Sequence, residues 1–257
     1  MEKLLVNKVI VVSGGTKGVG REVVTESVKE GADVVIGGRD QAAADKIIQE
    51  VIDNNYGKTP YFVKTQVTQV EGCKKLIDDS IAKYGRIDGY VNYAGILPEG
   101  YLYETEEELF DKVITLNIKA AFFCAKYVVK HMLETGGGSM VFVGSAHGYG
   151  GEKDRAAYAV SKGALLTLYK HIAKNYAEDN IRSNYVVMGW VATPGELAFR
   201  ETQNRDLKWL ETEGVKYIPM GRMMTVEDHA PGIVYLLSDK ASAVTGTELN
   251  ITGGFTA

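Results

Sequence analysis

The stretch Lys8-Val-Ile-Val-Val-Ser-Gly-Gly-Thr-Lys-Gly-Val-Gly20 decides how the rest of the chain is read. Four β-branched residues in a row, Val9 to Val12, predict a strand. The glycines that follow predict a sharp turn, and GREVVTESVKEG predicts a helix closed by Gly31. A glycine turn between a first strand and a first helix lets the backbone bend tightly and approach a pyrophosphate, while the positive end of the helix faces the phosphates. Gly14, Thr16, Lys17, Gly18, Val19 and Gly20 are therefore the expected nucleotide contacts.

Outward from this turn, short apolar runs alternate with longer helical patterns. DVVIGG, YFVKTQV, GYVNYAG, SMVFVGS, RSNYVVMG and TELNIT read as strands, with helices over about 41–54, 70–84, 105–134, 156–178 and 226–237. Continuous apolar strands imply a sheet covered on both faces. Repeated βαβ units imply an α/β, Rossmann-type, doubly wound fold with a mostly parallel sheet of seven strands. Residues 1–257 read as one dinucleotide-binding and catalytic domain. The weakly periodic stretch 194–224 is expected to insert one or two short helices as a substrate lid.

Bulk properties exclude several function classes. Of 257 residues, 45% are hydrophobic and 24% charged, and the net charge of -4 gives no basic patch for nucleic acid or an anionic membrane. Lys8 interrupts the first apolar run, so it reads as a strand and not as a signal peptide. No run approaches the roughly 18 residues of a membrane helix. Cys73 and Cys124 lack metal spacing, as do the four histidines, so free thiols, no metal site and a cytoplasmic location are expected.

The second strand ends Ile36-Gly37-Gly38-Arg39, where an acid would bind the ribose 2′-hydroxyl of NAD. Asp40 reads instead as the N-cap of the next helix. Arg39 and Lys17 can neutralise a 2′-phosphate, which favours NADP(H) over NAD(H).

Tyr158-Ala-Val-Ser-Lys162 places a tyrosine and a lysine four apart on one helix face. A free tyrosine, with pKa about 10, is a poor base at neutral pH, and a nearby ammonium favours its phenolate. Ser145 ends a strand at the carboxyl edge of the sheet, where open α/β sheets bind ligands, and can donate to a carbonyl. Asn117, in an apolar helix, reads either as a structural hydrogen-bonding group or as a link to Lys162 through water.

Taken together, these residues resemble the short-chain dehydrogenase/reductase family over nearly the whole chain. The glycine turn, Asn92-Tyr93-Ala94-Gly95, Asn117, Ser145, Tyr158, Lys162 and Gly189-Trp190-Val191-Ala192-Thr193 stand in family order and spacing. The resemblance implies hydride transfer between a nicotinamide and a ketone or secondary alcohol. Tyr158 would be the general acid/base and Ser145 would orient the carbonyl. Lys162 would hold the ribose and lower the tyrosine pKa, and Asn117 would complete a proton relay. Asn92, Ala94, Gly95, Gly189, Val191 and Thr193 would border the cofactor, with Gln66 and Val67 at its adenine. This chain departs from the family at Ser13 for threonine, Tyr93 for the second asparagine of NNAG, Met188 for proline and Gln66 for aspartate.

On the substrate side, His147, Trp190, Glu196 and Trp209 are candidate contacts, with Arg200, Tyr217, Tyr149 and Glu152 nearby. Glu152 to Arg155 read as solvated charges at a helix start. A polar mouth favours a sugar or polyol; a 3-oxoacyl thioester, or a sterol or aromatic ketone, are the alternatives. From another class, a catalytically idle NADP(H)-sensing protein would keep the glycines and lose the tyrosine or lysine. The long helices resemble the interface helices of a homotetramer or homodimer.

Overall fold

The structure is a computed structural model and describes residues 2–256 apart from Thr202. Its sheet contains β1 (Val9–Ser13), β2 (Asp33–Gly38), β3 (Tyr61–Lys64), β4 (Gly89–Asn92), β5 (Gly138–Val143), β6 (Ile181–Met188) and β7 (Glu248–Ile251). All pairings are parallel, in the order β3-β2-β1-β4-β5-β6-β7. The expected seven-stranded, doubly wound sheet is therefore present.

Alternation along each strand builds an apolar layer on each face. Ile10, Val12, Val91 and Val141 enter one layer, while Val11, Tyr90, Met140 and Phe142 enter the other. On the first face α1 (Gly18–Lys29) packs against α9 (Val226–Leu237), and α2 (Gln41–Asp53) adds Ile47 and Val51. On the second lie α3 (Val70–Tyr84), α5 (Ala120–Thr135) and α6 (Ala156–Asn175). The lid contains α7 (Pro194–Glu201) and α8 (Leu207–Thr212), within the two short helices expected. No helix among the described residues is long and apolar enough to cross a membrane.

Chain direction around the sheet reverses between β1 and β4, so the carboxyl ends of these two strands open a crevice. The backbone N–H groups of Tyr93 and Ala94 both donate to Ser13 O, at 3.0 and 2.9 Å, and close the base of that crevice.

Two expected elements differ. The helix over 105–134 is instead α4 (Glu107–Ile114), a π-helical turn (Thr115–Lys119) and α5. Asn117 sits in the wide turn, and its side chain is held by the backbone of Ile96, 21 residues away, which is a constraint no local pattern contains. The third strand stops at Lys64, because Thr65 turns its hydroxyl to Gly72 O at 2.7 Å. Gln66 and Val67 therefore lie in a loop, with Gln66 O accepting from Gln69 N at 3.1 Å.

Candidate active site

The glycine turn has the shape a dinucleotide requires. Gly14 has φ +82°, and a Cβ there would stand 2.7 Å from Ala94 N, so only glycine lets β1 and the β4 loop meet. Gly18 has φ +55° and opens α1, whose N-cap Lys17 makes no side-chain capping bond. The amides at this helix end thus remain suited to an anion. Tyr93, the bulky departure in the β4 loop, lies against the same turn. A Cβ on Gly20 would meet its ring at 2.5 Å, and one on Gly18 would stand 2.7 Å from its hydroxyl.

At the end of β2, Asp40 caps α2 by accepting from Ala43 N at 3.0 Å, as its residue type predicted. It also holds Lys17 Nζ at 3.3 Å. Arg39 is exposed and forms no ion pair among the described residues. With Gly37 and Gly38 ending the strand, this corner presents two cations and no carboxylate other than the capping one.

Beyond the turn a cavity of about 720 Å³ opens over the carboxyl ends of β4, β5 and β6. Ser145, Tyr158 and Lys162 line its floor, beside Gly95, Gly189, Val191 and Thr193. The structure thus brings together residues that the sequence named from the ends of β4, β5 and β6 and from α6. Tyr158 is nearly buried, and burial raises its pKa to about 12, with a hydrogen bond from Ser145 acting the other way. Lys162 is 7% exposed, donates to Val143 O at 3.0 Å, and is lowered by burial to about 8. Its Nζ stands 5.6 Å from the Tyr158 ring centre. In the protein alone burial thus outweighs Ser145 and the positive charge of Arg155, which act the other way.

Asn117 is 1% exposed, and its amide is fully used. Oδ1 accepts from Ile96 N at 2.8 Å, while Nδ2 donates to Ile96 O at 2.9 Å and to Ser161 Oγ at 3.0 Å. Its side chain pins the β4 loop to α6, one residue from Lys162. Asn92 is buried at the end of β4, where its Oδ1 accepts from the Tyr90 hydroxyl at 3.3 Å.

The cavity wall is polar and partly cationic. His147, Glu152, Arg155, Glu196, Arg200, Arg205 and the rings of Trp190 and Trp209 face it. Trp190 Nε1 donates to Glu196 Oε1 at 2.7 Å, and Arg200 Nε donates to the same oxygen at 2.6 Å. Arg200 also lies over the Trp190 ring at 4.8 Å, and Trp190 meets Trp209 edge-on at 6.3 Å. Glu196 therefore fastens the lid to the end of β6.

Two readings of this wall are corrected. Tyr149 faces away, bonded to Glu248 and 54% exposed. Glu152 and Lys153 are exposed as expected, but Arg155 is 2% exposed and lines the cavity, with Asp154 at 3.3 Å and Glu99 at 3.4 Å. It is covered because Gly100 N bonds Asp154 O at 2.9 Å and Ala156 N bonds Gly100 O at 3.2 Å, which lays a distant loop across the helix start. The usable signal was its position three residues before Tyr158, at the N-cap of α6.

These geometries coincide with likeness to known proteins. The family profile described as Enoyl-(Acyl carrier protein) reductase matches residues 14–256. The chain belongs to the short-chain dehydrogenase/reductase family. It is 34% identical over 250 residues to the 3-oxoacyl-(acyl-carrier-protein) reductase FabG of Thermotoga maritima, covering 97% of this chain and 98% of that protein. It is 33% identical over 259 residues to the 3alpha-hydroxysteroid dehydrogenase of Mediterraneibacter gnavus, covering 98% of each. The solved structure of levodione reductase superposes with a TM-score of 0.93 at 26% identity, covering 98% of each chain. As a short-chain dehydrogenase/reductase, the protein is an oxidoreductase of the alcohol/ketone type, in a family that uses nicotinamide cofactors.

Proposed function

We propose that the protein is an NADP(H)-dependent reductase of a polar ketone, with Tyr158 as general acid/base. The observation that carries this reading is the meeting of Ser145, Tyr158 and Lys162 on the floor of one cavity, at the carboxyl edge of the sheet and beside the glycine turn. A nicotinamide held by the glycine turn and Lys162 would supply the hydride. Ser145 donates a hydrogen bond to the carbonyl oxygen, keeping its proton, and holds the carbonyl in line. Tyr158, protonated because its pKa stands near 12, passes its phenolic proton to that oxygen as negative charge develops. Lys162 holds the ribose hydroxyls and carries positive charge beneath the phenol, which favours phenolate after the transfer. In the reverse direction the tyrosine must lose about 4 units of pKa to act at pH 8, or about 5 kcal/mol. The charge of an oxidised nicotinamide, added to that of Lys162, acts in that direction.

Lys17 and Arg39 support NADP(H), since both lie where a 2′-phosphate would meet the end of β2 and no free acid competes there. Arg155, Arg200, Arg205 and Glu152 around the cavity support a polar, hydroxylated substrate of the sugar or polyol kind. A 3-oxoacyl thioester is the second reading, supported by the likeness to the Thermotoga reductase. Phe122 on α5 and Val160 on α6 are 52% and 55% exposed, which supports a homotetramer or homodimer built on these helices.

The test is NADPH and NADH oxidation over a panel of keto-sugars, 3-oxoacyl thioesters and cyclic ketones. Turnover is expected with NADPH and is lost in Tyr158→Phe, which still binds NADPH. Equal turnover in Tyr158→Phe defeats the assignment of the acid. NADPH binding without turnover of any carbonyl in the wild type points to a nucleotide sensor.

A further inference from the structure

A hydroxyl can donate one hydrogen bond, and in the proposed reaction Ser145 must direct it to the carbonyl oxygen. Three groups surround the Ser145 oxygen. The backbone N–H of His147 donates to Oγ at 3.2 Å, His147 Nδ1 stands 3.2 Å from it, and the Tyr158 phenol lies near enough for Ser145 to lower its pKa. The imidazole therefore decides where the serine proton points. With hydrogen on Nε2, Nδ1 is a bare acceptor that takes the Ser145 proton and leaves only lone pairs for the carbonyl. With hydrogen on Nδ1, Oγ accepts twice from His147, and its own proton is turned toward Tyr158 and the cavity floor.

The surroundings choose between these forms. His147 Nε2 is buried and has no hydrogen-bond partner among the described residues. Nε2 is unpaired in either form, as donor or as acceptor, so the choice falls to the Ser145 side of the ring. Only the Nδ1–H form leaves the Ser145 proton free for the cavity, as the proposed reaction requires. Burial lowers the imidazole pKa and favours a neutral ring, against the carboxylates of Glu152, Asp154 and Glu196 and together with the cation of Arg155. The ring sits edge-on to Tyr158, with centroids 5.6 Å apart and planes at 73°, so turning it over would disturb the phenol.

We infer that His147 is a positioning residue: held as the Nδ1–H tautomer, it directs the Ser145 proton to the carbonyl oxygen. The inference rests on the reductase reading of this cavity. It gives His147 work through Ser145, where the residue type alone suggested a direct substrate contact.

Two measurements on the intact protein test it. Long-range proton–nitrogen correlation on histidine-labelled protein reads the tautomer without turnover, with the His147 signal assigned by its loss in His147→Asn. Hydrogen on Nδ1 is expected, and hydrogen on Nε2 overturns the inference. In steady-state kinetics His147→Leu is expected to lower kcat on the order of 10²-fold, with KM and NADPH affinity little changed. His147→Asn, whose amide N–H reaches the same oxygen, should recover most of that loss. Placed on Ser145→Ala, the leucine change should cost nothing further, and additive losses in this cycle would refute action through Ser145. A wild type that turns over no carbonyl while its His147 carries hydrogen on Nδ1 would instead overturn the reductase reading, leaving the hydrogen-bond assignment intact.

Discussion

Replacing Gly144 by alanine should damage both stability and chemistry through one ring. Gly144 precedes Ser145, and a Cβ built on it would lie 1.7 Å from Tyr185 Cζ and 2.0 Å from its hydroxyl oxygen. Tyr185 is completely buried, stacked on Tyr169 at 5.1 Å, and its hydroxyl accepts the Ser145 backbone N–H at 3.1 Å. The methyl group cannot be admitted unless the ring leaves. Overpacking of this kind costs about 1–3 kcal/mol. Stranding the buried Ser145 N–H adds about 1–3 kcal/mol. A loss near 4 kcal/mol lowers the midpoint of thermal unfolding by about 10 °C in a chain of this length. Because Ser145 loses its anchor, kcat should fall more than KM changes. Calorimetry and urea unfolding measure the first effect, and steady-state kinetics the second. The decisive control is the same change in a Tyr185→Ala background, where the obstruction is gone and Gly144→Ala should cost under about 1 kcal/mol. Equal cost in both backgrounds would refute the account.

The other predictions concern charge. Lys162→Met should abolish turnover yet stabilise the fold at pH 7, because burial holds the folded pKa near 8 against an unfolded value of 10.5. The sign follows from proton uptake: below pH 8 both states carry the proton and the cost of burying it is complete, at about 3 kcal/mol. Between pH 8 and 10.5 the unfolded chain binds more protons, so wild-type stability gains this contribution as pH rises, and the methionine variant lacks the gain. Unfolding curves across that window would reveal a failure. Arg39→Asp should lower NADPH affinity at least tenfold relative to NADH, and an unchanged ratio in fluorescence titrations would remove Arg39 from the cofactor site. Arg155→Met should raise KM about tenfold or more for a polar substrate. A change in thermal midpoint alone would make its role purely structural.

How much of this was legible in the sequence depended on range. The glycine turn, the apolar runs and the four-residue spacing of Tyr158 and Lys162 are local patterns, and they lie where expected apart from the early end of the third strand. What escaped was set by contacts across long stretches of chain. Arg155 looks like one more solvated charge until the Gly100 loop covers it. Tyr149 looks like a cavity residue until Glu248, 99 positions later, draws it outward. The break in the long helix follows from Asn117 reaching Ile96, and the rise in the Tyr158 pKa follows from burial that no spacing displays.

The wide turn at Thr115–Lys119 also governs which changes of length the chain can tolerate. Each residue advances an α-helix by about 100°, so the surplus residue of a π turn sets α4 and α5 out of phase by about that angle. Deleting one residue there would restore a regular spiral and roll all 16 residues of α5 about its axis. Cys124, Val128 and Met132, now fully buried, would swing off their layer, and Asn117 would leave the junction it ties. The insertion behaves as a frame marker: through Asn117, the residue count at this turn is locked to the catalytic floor.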